Sequence, residues 1–533
     1  MVTRSDDSES QGSLRRAIEQ TDRSPGNYVI RFSSSLAGSV LHLRDPLPAL
    51  TVGSVYIEGD DVGDGRPHIT LEGPAGGPAA IRIASGGNTI HALAIRGFST
   101  GIVVDSTSHG STFAANTIAA VDIQADQQAV DFSPFLRSTP RVDGMTWNGL
   151  QIIQSSLEAK WVVIHVAVVT ADSLKNVTVR DNKITADGPG NTGGGIGISA
   201  GQFIGADGNQ ISNVLIAANR ITSNGTNAIA LAAGQGGAGR NTISQVQIID
   251  NQLEIAPGGY GQGQARDGIN IVTGDSGTDD LNPGYRPIIW PEGNLVQNVL
   301  VAGNVIDGQG GSGLSVQGGI NGAKNNHINH LVIEGNQIHG SAPTEGGRGD
   351  GIFIEGAETG PQASRPSSAN EISDVEIRAN DITEDVPAPL GWLAPVGGIV
   401  LVGGSRAQGN QLGQILVDAN TISTTELAIS VIGGWAPSGP LHATGNSISG
   451  VNIECTSAAR SLPLVLRPEV IGISVVGGYG NAQNNTVKAR ALNNLIGDKL
   501  NVISQAPDES GMNRDATGAD AIASANSVDV TTG

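Results

Sequence analysis

Four carboxylates carry the chemistry this sequence could perform: Asp267, Asp275, Asp350 and Glu355. Two of them stand in a repeated context, Arg266–Asp267–Gly268–Ile269 and Arg348–Gly349–Asp350–Gly351–Ile352. Aligned on the Gly and Ile, Asp267, Ser312 and Asp350 take one position on successive copies of a repeat. Parallel strands lie about 4.8 Å apart, so two steps separate Asp267 from Asp350 by roughly 10 Å at the backbone. An inverting glycosidase holds its acid and base about 6.5–9.5 Å apart, which leaves room for a water. Glu355 is expected outward at the far end of the strand that Asp350 opens, and Asp275 follows the strand of Asp267. Asp350 is the best single choice for the chemistry. Arg266 and Arg348 stand where they could keep one carboxylate of a pair ionised. The competing reading of each Asp is structural: before a Gly at a corner, its carboxylate accepts a backbone N–H.

Aromatic residues are only 3% of the chain, yet Trp290, Trp392 and Trp435 cluster with these carboxylates in the C-terminal half. An indole face suits the C–H face of a sugar ring, although a Trp can equally anchor a loop. Tyr285 and His339 are weaker candidates for sugar contact. A uronate lyase or epimerase would need a strong base and a group that neutralises the substrate carboxylate. Arg266, Arg286 and Arg348 could neutralise, but Lys324 is not paired with a carboxylate cage. No cofactor is required by these residues; the acidic surface could hold calcium, though no metal-ligand set is marked.

The elements that must position these groups come from a repeat. Its form is Asn-x-apolar, two residues, apolar-x-apolar, two residues, Asn-x-apolar. It occurs at Asn209/Asn219, Asn241/Asn251, Asn294/Asn304, Asn326/Asn336, Asn370/Asn380 and Asn410/Asn420, each pair ten residues apart. An earlier copy has Asp172 before Asn182. A further apolar strand follows each copy, as in Gly313–Leu314–Ser315–Val316 and Gly351–Ile352–Phe353–Ile354. Such short alternating runs bury one face only if each coil stacks on the next. Ile216, Ile248, Val301, Ile333, Ile377 and Val417 are then expected inward. Asparagine tolerates a left-handed corner, and its amide can bond the Asn above and below as a ladder. Glycine is expected to serve the same backbone need at the third corner. Between successive second asparagines, from Asn182 to Asn446, a coil runs about 26 to 53 residues, with the variation in loops.

The expected fold is therefore all-β, a right-handed parallel β-helix of three parallel sheets with an N-terminal cap helix. Residues 1–50 form the cap, with a short amphipathic helix over 12–20 and a strand at Tyr28–Phe32. Residues 51–490 form the β-helix, with a loop insertion at about 120–170. Residues 491–533 form a polar tail. The segment Gly12–Ser13–Leu14–Arg15–Arg16–Ala17–Ile18, the strand ending in Phe32 and the turn Leu47–Pro48–Ala49–Leu50 resemble the opening of bacterial secreted β-helix proteins of the pectate-lyase-like superfamily. That resemblance implies the β-helix and a polysaccharide-linked role, over a family that includes hydrolases, lyases, epimerases and adhesins. The galacturonan hydrolase motif set is absent as a set; Asp279–Asp280 is its only echo in the loops of the central coils.

Composition agrees. Glycine is the commonest residue at 76, which suits many tight turns. The net charge of −20 repels nucleic acid and anionic membranes. The apolar run Trp161–Thr170 is too short to span a bilayer. Cys455 is alone, excludes an internal disulfide, and is expected as a buried free thiol. The opening residues do not read as a signal peptide; a secreted or cell-surface protein is expected, with its signal removed. The expected partner is an oligo- or polysaccharide, with no nucleic acid and no membrane insertion, and β-helix dimers or trimers are compatible with the pattern. Three function classes follow: a glycoside hydrolase or glycosyl-transferring enzyme, a uronate lyase or epimerase, and a non-catalytic adhesin or carbohydrate-binding solenoid.

Overall fold

The computed structural model describes residues 1–533 except 24–25, 61, 106–110, 134–143, 169–170, 189–193, 203–205, 256–266, 276–289, 309–310, 341–348, 361–362, 364, 385–396, 425–426, 437–440, 461–471, 481, 493–494, 497–501, 506–526 and 533. By internal contacts the chain divides into two units. The first is Met1–Ile198 with Asn209–Ala228; the second is Ser199–Gly208 with Ile229–Gly533. Each is built of parallel strands stacked coil on coil, and the fold is the right-handed parallel β-helix that the repeat predicts. No described helix is long and apolar enough to cross a membrane.

In the first unit the cap helix spans Leu14–Thr21 and begins at Ser13, whose hydroxyl accepts the Arg16 N–H. Leu14, Ile18 and Thr21 face inward, giving the helix one buried stripe. Tyr28–Arg31 pairs in parallel with Val55–Glu58. The stretch 120–170, expected as an insertion, contains further paired strands: Asp122–Phe132, Leu150–Ile153, Ser156–Ala159 and Val162–Val168. Its corners escaped the pattern because Met145 and Ser155 stand where later copies have asparagine. Their backbone N–H groups donate to Asp172 Oδ1 and Asn182 Oδ1.

In the second unit a long strand of each coil, such as Leu295–Ala302, is bent at one left-handed residue. Asn298, His330, Asp374 and Gln414 fill that corner, each with φ near +55°. A second short strand follows, as Val305–Gly308, and then a third, as Leu314–Gln317. The three stacks are the three parallel sheets. Ile248, Val301, Ile333, Ile377 and Val417 stack in one register column and are fully buried, while Ile216 is equally buried against Val179 in the first unit.

Two asparagine ladders run along this unit. One joins Asn241, Asn294, Asn326, Asn370, Asn410, Asn446 and Asn485, each Nδ2 donating to the next Oδ1 at 2.9–3.0 Å. The other joins Asn251, Asn304, Asn336, Asn380 and Asn420. Asn446 thus belongs to the first ladder, not the second. The apparent 26-residue coil disappears, and Thr456 follows Asn420 in the second column, as the Thr421–Ser457 register requires.

The reasons for two residue types also change. The ladder asparagines are not the left-handed residues; those directly before them are, including Gly303, Gly335, Ala379 and Ala419. The asparagines are placed for their side-chain bonds. The glycines that open the third strand answer to space rather than to φ: a Cβ on Gly351 would lie 2.4 Å from Ile382 Cγ2, and one on Gly313 2.3 Å from Ile338 Cγ2. Cys455 is exposed, not buried, because it takes the left-handed corner before Thr456, with φ at 48°. Beyond residue 490, the strands Val502–Gln505 and Ser527–Thr532 pair in parallel with Ile473–Val476 and Thr486–Ala491.

Candidate functional site

The site is in the second unit, on the outer face of the third sheet and the turn that follows it. Ile269 aligns with Leu314, which aligns with Ile352, so Asp267, Ser312 and Asp350 occupy one column as the sequence implies. Both acids are buried, at 1% and 0% exposure. Asp267 Oδ1 accepts the Ser312 N–H at 2.9 Å, and its Oδ2 accepts Asn270 Nδ2 at 3.1 Å. Asp350 Oδ1 accepts the Gly397 N–H at 3.1 Å. Each carboxylate therefore receives the backbone of the next coil where its third strand begins.

Along that strand Ile352 and Ile354 face the core, so Phe353 and Glu355 alternate outward. Glu355 aligns with Gln317 on the preceding coil and Val402 on the next. Glu355 is at 0% exposure. Its Oε2 accepts Gln317 Nε2 at 3.2 Å, and the same nitrogen donates to Glu358 Oε2 at 3.0 Å. Both acceptor oxygens lie within hydrogen-bond distance of one nitrogen, so they stand no more than about 6.2 Å apart. Glu358 is half-buried.

Glu358 also lies in a column of its own, made by isolated parallel bridges. That column runs Gln235, Asp275, Ile320, Glu358, Ser405 and Trp435. Asp275, half-buried, is thus two coils from Glu358, with Ile320 between them. Sequence reading reached Asp275, Glu355 and Trp435 but missed Gln317 and Glu358. The available signal for Glu358 was its spacing of three from Glu355, just past the strand.

Trp435 packs on a patch of Phe353, Val400, Val402 and Ile432, and the Arg406 guanidinium lies 6.0 Å from its ring centroid. Trp290 is half-buried, with the Arg365 guanidinium 5.9 Å from its ring. The ring lies against Gly322, where a Cβ would come 2.4 Å from Trp290 Cε3. Each indole thus has an arginine near one face. His339 is exposed on the second sheet, beside Asp307 and Thr383, and does not join the third-sheet carboxylates. Lys324 aligns between Glu292 and Ser368, in a separate column. Trp392, Arg266, Arg348, Tyr285, Arg286 and Asp279–Asp280 lie outside the described residues.

In the first unit, among the described residues, Asp60, Asp64 and His68 place their ligand atoms within 4.8 Å of one another. Asp60 already accepts the N–H groups of Val62, Gly63 and Gly65. Burial pushes its carboxyl up, but these bonds outweigh that and hold it below the ordinary range. Asp64 Oδ1 is 3.0 Å from His68 Nε2. The group closes a loop with its own contacts, and no other observation marks it as a cation site.

No family model matches the sequence, and comparison with curated proteins finds no match. Among solved structures, the chain is similar to the Dettilon tailspike protein gp208 at 13% identity and a TM-score of 0.34, covering 81% of this chain and 63% of that one. The chain thus spans under two thirds of the tailspike's length. It is also similar to the A-module of the mannuronan C-5 epimerase AlgE6 of Azotobacter vinelandii, at 13% identity and a TM-score of 0.31, covering 87% and 93%. A third is the periplasmic alginate epimerase AlgG, at 10% identity and a TM-score of 0.26, covering 91% and 85%. At such low scores the activities of those proteins do not transfer to this chain.

Proposed function

We propose that this is a secreted or cell-surface protein that acts on a polysaccharide, as a glycoside hydrolase of the retaining type. The observation that carries the reading is the shared donor: Gln317 Nε2 bonded to both Glu355 and Glu358. A retaining pair stands about 5–5.5 Å apart, with one carboxyl as acid and the other as nucleophile. Glu355, closed to solvent and beside Val402, takes the acid role, because a low-dielectric surround disfavours its charge. Glu358, half-buried rather than closed to solvent, takes the nucleophile role. Asp275 shares the Glu358 column and would line the same groove. Asp267 and Asp350 serve as positioning residues that fix the strand starts beneath the pair. Trp290 and Trp435 would offer a ring face to flanking sugars, Trp392, Arg266, Arg348 and Tyr285 would complete the binding surface, and a bound calcium is compatible.

A second reading, a non-catalytic carbohydrate-binding solenoid, is favoured by one observation: Glu355 has 0% exposure, so a substrate must open the face to reach it. The test is a polysaccharide panel read for new reducing ends and, in parallel, for the absorbance of an unsaturated product. Reducing ends without that absorbance support the hydrolase. Unsaturated product moves the assignment to a lyase, and binding with neither leaves the solenoid reading.

A further inference from the structure

The first unit carries a polar pair that the proposed hydrolase does not use. Asp122–Phe132 and Val162–Val168 are neighbouring parallel strands, and their register sets Asp131 directly against His165. The residues on either side, Val130, Phe132, Ile164 and Val166, are fully buried in the core. Asp131 and His165 therefore alternate to the outer face, where they remain only 3% and 7% exposed. His165 Nδ1 is 2.9 Å from Asp131 Oδ1.

A buried Asp–His pair on the outside of a solenoid coil is not needed for stacking. The aligned position on the preceding coil is Val103, and an apolar residue fills it without cost. The neutral imidazole has one donor and one acceptor nitrogen. With Nδ1–H directed to the carboxylate, Nε2 is left as the acceptor, and among the described residues no hydrogen bond engages it. This is the arrangement in which a carboxylate orients a histidine base and compensates the imidazolium it becomes.

Two features in its surroundings suit a ligand. Trp161, the residue just before the strand Val162–Val168, is 49% exposed, an unusual position for a side chain of that size. Four residues at about 3.3 Å each put it roughly 13 Å along the strand from His165. In the row of Asp131 and His165, Arg82 lies beyond Val103, and it pairs with Asp105 at 2.7 Å. An aromatic platform, a hydrogen-bonding base and an ion pair at the margin match the surface of a glycan, with its C–H faces and hydroxyl groups.

We infer that Asp131 and His165 form a second, general-base site, which takes a proton from a hydroxyl of a glycan chain, or from a water held on it, while a sugar ring rests on Trp161. In the step the O–H bond breaks toward His165 Nε2, an N–H bond forms, and the imidazolium stands beside the Asp131 carboxylate. The reverse transfer re-forms the O–H bond and restores the neutral imidazole, so the step balances on the proton alone. Asp131 is a positioning residue, since it acts through His165.

The intact protein tests this with diethyl pyrocarbonate, which acylates an accessible neutral imidazole, and peptide mass spectrometry to compare His165 with the other histidines. His165 is expected to react in the folded protein, and oligosaccharides of a polyuronate, a β-glucan and a xylan, tried in turn, should include one that slows its reaction several-fold. Asp131→Asn should slow the reaction at His165 with little change in melting temperature, whereas Glu358→Gln should leave it unchanged. A His165 that reacts only after denaturation overturns the site. Reaction that none of the three glycans slows overturns the ligand class, and an unchanged rate in Asp131→Asn overturns the pairing. None of these results bears on Glu355 and Glu358.

Discussion

Glu355 and Glu358 are tied to each other through one amide nitrogen, that of Gln317, at 3.2 and 3.0 Å. The relationship spans two coils, so stacking register sets it: Gln317 lies opposite Glu355, and Glu358 reaches back from the following turn. Gln317→Met keeps side-chain length and removes the donor. It should destabilise by about 1–3 kcal/mol, because acceptors on a covered face lose their partner. It should also lower glycan turnover if the pair is catalytic. Thermal melts and turnover measured on the same preparation check both outcomes.

The ladders make a second prediction. Asn336 Nδ2 donates to Val301 O and Asn380 Oδ1, and its Oδ1 receives Asn304 Nδ2 and the Asn304 N–H. Asn336→Ala should cost about 1–3 kcal/mol through buried groups left unbonded. Asn329 is exposed on the same coil, and Asn329→Ala should lie within about 0.5 kcal/mol of the parent. Equal shifts in denaturant midpoint would mean that the ladder does not hold the coils.

Asp350 separates structure from chemistry. Asp350→Asn keeps an acceptor for the Gly397 N–H, so the fold should tolerate it, whereas Asp350→Ala should lose about 1–3 kcal/mol. If Asp350 only positions the strand, Asp350→Asn also retains most activity. A loss of several orders of magnitude, with an unchanged melt, would return Asp350 to the reacting pair.

A pH prediction belongs to the first unit. Tyr56 donates to Glu58 Oε2 at 2.7 Å, and His91 Nδ1 lies 2.8 Å from Glu58 Oε1. Burial, followed by the bond to Glu58, pushes the Tyr56 phenol up to about 12. A raised phenol holds its proton more tightly when folded. Its contribution is complete below the unfolded value near 10 and is lost as pH rises to about 12. Burial pushes Glu58 up, but bonds from His91, the Asp60 N–H and Tyr56 outweigh it and hold the carboxyl below the usual range. Its contribution is present above the unfolded value near 4.3 and fades as pH falls through the folded one. Tyr56→Phe should flatten the alkaline limb of a stability–pH curve, and Glu58→Gln should reduce both limbs.

The coil was legible because two asparagines ten residues apart mark two corners of one repeat, and few other folds would keep that spacing. The reason for the corners was not legible. A left-handed residue carries no fixed type here: Gly303, Ala379 and Ala419 all fill the same place. The stretch 120–170 was read as an insertion because Met145 and Ser155 stand where later copies have asparagine. Asp267 and Asp350 were legible as a column, since strand register follows from the apolar alternation. Their use as acceptors of a backbone N–H was the competing reading of an Asp before a Gly; that the N–H comes from the next coil was not legible. Glu358 was missed because it stands past the strand, where isolated bridges hold the chain and alternation has ended.

The most direct measurement is the release of reducing ends from the polysaccharide the parent protein cleaves, compared for Glu355→Gln and Glu358→Gln, with the anomer of the first-formed product read by NMR. The account predicts that both substitutions lower turnover by orders of magnitude with folding intact, and that the product keeps the configuration of the substrate. Full activity in either variant, or a product of inverted configuration, would contradict it.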